Sequence, residues 1–234
     1  GDRLYAVNTP DNRLEIFEID GAELRHRFSI PVGMEPVAVA ALSDSQAWVV
    51  NHLSDSVSVV SLDEGAHPRV IRTLPVGDEP RDIVFAGVGR RRAFITCAHR
   101  GQNNPQDPEL TRQGVGRADV WVFDPANPGS SPGGNPDEVL TIFGDTPRAL
   151  AVNPTGDTVF AAVFHSGNQT TVVNNLNLFP VSKAEPPTSP SGAEQPDTAL
   201  IVKYVNGEWI DPATGKKYTA QVFFKLPDYD VFAI

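Results

Sequence analysis

Residues Pro36–Pro80 read PVAVAALSDSQAWVVNHLSDSVSVVSLDEGAHPRVIRTLPVGDEP. Four short apolar runs, Val37–Leu42, Ala47–Asn51, Val57–Leu62 and Val70–Pro75, are divided by Ser43-Asp44-Ser45, Leu53-Ser54-Asp55 and Asp63-Glu64-Gly65. Clusters of Ser, Asp and Gly between apolar runs are turn chemistry. From Val57 to Val59 apolar residues alternate with small polar ones, the period of a half-buried strand. The spacing predicts four antiparallel strands in about 40 residues. They end on Val76-Gly77-Asp78-Glu79-Pro80, a near-copy of the Val32-Gly33-Met34-Glu35-Pro36 that precedes them.

A four-stranded sheet of this kind cannot bury both faces alone, so the unit must recur, as the blades of a propeller do. Arg3–Asn8, the turn Thr9–Asn12 and Arg13–Ile19 match Ala47–Asn51, its turn and Val57–Leu62. A third copy runs DIVFAG, AFITCAH, ADVWVFD and VLTIFGDTP, and a fourth ALAVNP, TVFAAVFH, Gln169–Val173, ALIVKY and QVFFKLP. DVFAI then reads as the opening strand of a fifth. The marker prolines stand at 36, 80, 147 and 227, so the intervals lengthen from 44 to 67 and 80 residues. The excess reads as loop insertions at approximately 100–117 and 174–198. The expectation is an all-β fold, a β-propeller portion of four-stranded antiparallel blades. They fall approximately at 1–35, 36–79, 80–146 and 147–226, with a next blade starting at 227–234. Faces should pack through Val39, Val49, Val59, Ile83, Phe94, Val122, Leu150 and Phe160.

These phrases resemble the YVTN-type β-propeller repeat of the lactonase-like propeller superfamily. Trp48-Val49-Val50-Asn51 and Leu4-Tyr5-Ala6-Val7-Asn8 stand where that family has Tyr-Val-Thr-Asn, and Ser54–Val60 matches its following turn and strand. Ile95-Thr96-Cys97 and Ala162-Val163-Phe164 match more loosely, without the Asn. The resemblance implies a bacterial cell-envelope protein, periplasmic or extracellular. It also implies a context of longer chains that carry c-type haem modules, although no haem-attachment motif occurs here. About four blades with an opening second strand make an incomplete ring. The remaining blades are expected from sequence outside this chain or from a second chain, the alternative being a small four-bladed ring.

Composition narrows the partners. A net charge of −10 argues against nucleic acid and anionic membranes, and no apolar run is long enough to span a bilayer. The single cysteine, Cys97, lies in an apolar strand and reads as a core residue; one cysteine forms no internal disulfide.

Candidate chemistry gathers where second strands exit and linkers enter the next blade. His52, His99 and His165 fall there in consecutive blades and are the candidate ligands of a divalent metal, with Asp55, Asp119 or Asn168 as oxygen donors. A turn histidine bonded to a backbone carbonyl is the competing reading of each. Arg81 and Arg148 follow the marker prolines and suit a carboxylate or phosphate; an ion pair with Asp78 or Asp145 is the alternative. Asn51 and Asn168 join them as candidate ligand contacts. No nucleophile elbow, P-loop or dinucleotide fingerprint appears. The function expected is a non-catalytic binding and assembly module with a c-type cytochrome among its partners. The competing class is a lactonase-like hydrolase or a metal-dependent oxidoreductase on the same face.

Overall fold

The computed structural model describes residues 2–101, 103, 115–165, 169–174, 191, 199–222 and 228–234. They form two compact units, Gly1–His165 with Tyr229–Ile234, and Ser166–Asp228. The first unit carries four antiparallel sheets. Sheet one is β1 (Arg3–Asn8), β2 (Arg13–Asp20) and β3 (Glu23–Pro31). Sheet two is β4 (Pro36–Ser43), β5 (Gln46–Asn51), β6 (Ser56–Ser61) and β7 (Arg69–Pro75). Sheet three is β8 (Ile83–Ala86), β9 (Arg92–Ala98), β10 (Ala118–Phe123) and β11 (Glu138–Ile142). Sheet four joins β12 (Asp145–Val152) and β13 (Val159–His165) to β17 (Val231–Ala233).

Period-two alternation sorts each strand's side chains to two faces, and three inter-sheet layers join the four sheets. Leu14, Ile16 and Ile30 of sheet one pack on Ala47, Val49, Val60 and Leu62. The opposite face of sheet two, with Trp48, Val50, Val57 and Val59, packs on Ile83, Phe85, Ile95, Trp121 and Phe123. Phe94, Val120 and Val122 then meet Leu150, Val159 and Ala161 of sheet four. Four sheets thus stack face to face in chain order, as propeller blades do. Each fully buried valine in these layers contributes about 1.5–3 kcal/mol of transfer free energy. Phe160 departs from expectation. It is 39% exposed, because sheet four turns it away from sheet three.

The fourth repeat also differs from its sequence reading. Val231–Ala233 is the third strand of sheet four and not the opening of a further blade; the blade range 147–226 changes accordingly. Gln169–Val173 and ALIVKY instead fall in the second unit, where β14 (Thr170–Asn174), β15 (Ala199–Val205) and β16 (Glu208–Ile210) form a separate sheet. That sheet has its own core of Val173, Leu200, Val202, Trp209 and Tyr218. The reason is visible in side chains. Asp230-Val231-Phe232 repeats Asp119-Val120-Trp121. A Cβ on Gly144 would lie 3.3 Å from the Phe232 ring, as one on Gly77 would lie 2.8 Å from Trp121 Nε1. The second unit is therefore inserted between second and third strands, where sheet three carries its own insertion. Most of the 100–117 insertion lies outside the described residues, as does most of 174–198, which falls between β14 and β15.

Candidate functional site

The linkers between sheets share one geometry with the turns that join second to third strands. Glu35, Glu79 and Thr146 occupy the same place in successive linkers, each with a positive φ (55°, 48° and 53°). Asn12 and Asp55, also at positive φ, hold two of those linkers. The Glu35 N–H donates to Asn12 Oδ1 at 2.7 Å and the Glu79 N–H to Asp55 Oδ1 at 2.9 Å. The glycine of each phrase then sits directly on the next sheet. A Cβ on Gly33 would lie 2.5 Å from the Asn51 side chain, and one on Gly77 2.9 Å from Cys97 Cβ.

Just inside this rim a polar pair recurs across second and third strands. Asn8 Nδ2 donates to Glu15 (3.3 Å), and Asn51 Nδ2 to Ser58 (3.0 Å). His99 Nδ1 lies 2.9 Å from both Asp119 oxygens. In each pair the third-strand residue stands opposite the residue two before its partner: Ala6, Val49 and Cys97. Fourth strands extend the row, with Ser29 donating to Glu15 (3.0 Å) and Thr141 to Asp119 (2.7 Å). His26 Nε2 adds a 2.8 Å contact to Glu15. In sheet four the backbone register puts Asp230 at the Asp119 position and His165 at the His99 position. The His165 side chain lies outside the described residues.

This register corrects the grouping of the three histidines. His99 corresponds to Asn51, and His52 lies one residue further on, where its Nδ1 is 3.2 Å from the Pro80 carbonyl oxygen. His99 and Asp119 are both nearly fully buried (3% and 4% exposed), so the pair anchors the rim from within. Among the described residues no group of three or more His, Cys, Asp or Glu side chains is placed to hold a metal ion. Asn168 lies outside the described residues. Cys97 is fully buried, and burial pushes its thiol well above the ordinary range.

The arginines follow neither ion-pair expectation. Arg81 is half-buried, and its N–H donates to Thr96 O at 3.0 Å. Arg148 is exposed, its guanidinium carbon 4.9 Å from the Phe164 ring centroid, a cation–π contact. Asp145 instead accepts from Thr146 and lies 3.8 Å from Arg100, while Asp78 accepts the Arg100 N–H at 3.2 Å. Among the described residues neither Arg81 nor Arg148 is paired with a carboxylate.

Sequence reasoning missed Glu15, Ser58 and Thr141 as members of the row. The signal was present in part, since each stands between apolar neighbours in sequence: Leu14 and Ile16, Val57 and Val59, Leu140 and Ile142. Reading it required the strand register, which the insertion before Ala118 conceals.

No family model matches the sequence, and no curated protein matches it. Solved structures do. A candidate 6-phosphogluconolactonase from Bacteroides uniformis is 14% identical with a TM-score of 0.52, over 100% of this chain and 55% of that one. A second, from Bacteroides fragilis, gives the same values. The chain spans about half the length of these structures. At this identity the likeness concerns the fold alone, which is of the propeller type.

Proposed function

We propose that this chain is part of a β-propeller of the YVTN type and acts as a non-catalytic binding and assembly module. Remaining blades come from sequence outside these residues or from a second chain; the roughly twofold greater length of the structural neighbours supports this. The linker rim is the binding surface, with Arg81 and Arg148 receiving a carboxylate or phosphate group of the partner. The observation that carries the reading is their equivalence. They follow Pro80 and Pro147 in adjacent sheets, while Asp78 accepts the Arg100 main-chain N–H and Asp145 lies 3.8 Å from the Arg100 guanidinium.

A bacterial cell-envelope setting with a c-type haem protein as assembly partner follows from the sequence resemblance and is part of the proposal. The alternative, a lactonase-like hydrolase, gains nothing from a likeness that reaches only the scaffold. Inorganic phosphate is the probe. Titrated calorimetrically at low salt, an Arg81→Gln/Arg148→Gln double variant should bind it about tenfold or more weakly, as loss of two charge-assisted contacts requires. Unchanged phosphate binding in a folded double variant would remove the rim from the reading.

A further inference from the structure

The position just past the second strand is filled alike in sheets one and two. Thr9, which follows Asn8, donates its hydroxyl to the Pro36 carbonyl at 2.7 Å. His52, which follows Asn51, places Nδ1 3.2 Å from the Pro80 carbonyl oxygen. Pro36 and Pro80 are corresponding marker prolines, so each linker requires one donor there, and a threonine hydroxyl suffices. Histidine meets the same need and brings a second ring nitrogen that the contact leaves unused. In sheet three the position holds Arg100, whose guanidinium lies 3.8 Å from Asp145.

A carbonyl oxygen only accepts, so Nδ1 of His52 carries a proton. In the neutral ring the lone pair therefore stands on Nε2. His52 is half-buried, and among the described residues no hydrogen bond reaches Nε2. The same Pro80 carbonyl belongs to the peptide unit that leads into Arg81, whose N–H is anchored on Thr96 O at 3.0 Å. An acceptor nitrogen and an arginine are thus fixed to one peptide unit. The surroundings are acidic. Burial first, then the charges of Asp78 and Glu79, push the Asp55 carboxyl above its ordinary range, and the His52 ring acts the other way.

Resting on the proposed arginine rim, we infer that His52 is its specificity-determining residue and that the group received is the C-terminal carboxylate of a polypeptide. Guanidiniums only donate, so Arg81 and Arg148 match any acceptor-only anion equally well. Nε2 adds an acceptor, and it requires a ligand in which a donor stands beside the negative charge. A chain terminus is such a ligand, because one carbon separates the amide N–H of its last residue from the carboxylate. Its single charge also suits the acidic surroundings better than a doubly charged group does. An ionised phosphate ester approaches two charges and, as the dianion, offers Nε2 no donor.

The test compares N-acetyl-alanyl-glycine with N-acetyl-alanyl-glycolate, an ester in which oxygen replaces the final N–H. Both are titrated by NMR into the full chain at low salt and about pH 8, where free imidazole is neutral. The parent should bind the amide about fivefold or more tightly than the ester, as one hydrogen bond requires. His52→Thr gives sheet two the residue that sheet one uses at the same position. It should keep the Pro80 contact and the parent's urea midpoint, and bind the two ligands alike. Equal affinities in the parent, or a preference for the amide that survives in His52→Thr, would overturn the inference. So would failure of both ligands to bind a chain that still takes up inorganic phosphate, and the arginine rim would then stand. The rim fails on a different result, phosphate binding that ignores the Arg81→Gln/Arg148→Gln change.

Discussion

Replacing Gly77 by Ala probes the contact that seats each linker on the next sheet. Gly77 has a backbone conformation open to any residue, so the substitution carries no dihedral penalty. The added methyl would lie 2.8 Å from Trp121 Nε1 and 2.9 Å from Cys97 Cβ. Comfortable carbon contacts are about 3.5–4.0 Å, so the overlap is about half an ångström or more on two sides. Trp121 is 4% exposed and Cys97 is fully buried, and neither yields as a surface side chain would. Overpacking of this kind costs about 1–3 kcal/mol. The entropy gain of Gly→Ala in the unfolded chain offsets about 0.4–1 kcal/mol of that. A net loss of about 1–2 kcal/mol lowers Tm by about 2–8 °C in a chain of this size. The matched control is Gly65→Ala, whose methyl meets only Asp63 Oδ1, at 3.4 Å, and which should be neutral or slightly stabilising. Urea titration of both variants is the assay. In a Trp121→Phe background, which removes the indole nitrogen, the Ala penalty should shrink. Equal stability of Gly77→Ala and Gly65→Ala would refute the reasoning.

Val59→Asp should abolish cooperative folding, because Val59 is 3% exposed between sheets two and three and a lone carboxylate there costs several kcal/mol. Loss of the near-ultraviolet circular dichroism signal is the readout, and a native spectrum would contradict it. Glu15 gives a pH signature. Burial raises its pKa, but hydrogen bonds from His26, Asn8 and Ser29 outweigh burial and leave it below the ordinary carboxylate value. A lowered acid contributes stability that is present above the unfolded-state value of about 4.5 and lost as pH falls through the folded one. Glu15→Gln should therefore lower the urea midpoint at pH 7 and converge on the parent near pH 3; an equal gap at both pH values would count against the assignment.

The stacking of sheets was legible because it rests on period-two alternation and turn chemistry, both local. Val49, Val59, Phe94 and Val122 could be assigned to buried faces from Pro36–Pro80 and its copies alone. The fourth repeat was not legible in the same way. Asp230-Val231-Phe232 carries the third-strand pattern, yet it stands 65 residues after His165, and Gln169–Val173 offers a nearer run of equal β-propensity. Proximity favoured the wrong partner; Gly144 selects the right one, since Phe232 packs over it. The site was half legible. Asn51, His99 and His165 were found as residues at strand exits, but their grouping depended on register. A shift of one residue between His52 and Asn51 moves a side chain to the other face of a sheet.

The 100–117 insertion and the whole second unit both enter between second and third strands, and the linkers explain why that turn tolerates them. In sheets one and two the turn is short, and a single residue, Asn12 or Asp55, bonds the outgoing linker through both its carbonyl and its side chain. In sheet three, among the described residues, the linker is bonded from other positions. The Arg117 N–H donates to Gly144 O (2.7 Å) and Arg100 lies beside Asp145, while Asn103 Nδ2 reaches back to Val76 O (2.6 Å) of the preceding linker. The linker needs partners for its strained, positive-φ geometry, and any chain segment returning past it can supply them. What cannot move is the residue under the linker, because glycine alone fits against Asn51, Cys97 or Val163. A stack built this way keeps its sheet spacing through the glycines and leaves the turn above them open to replacement by whole segments, which is where a binding surface can vary without disturbing the layers beneath.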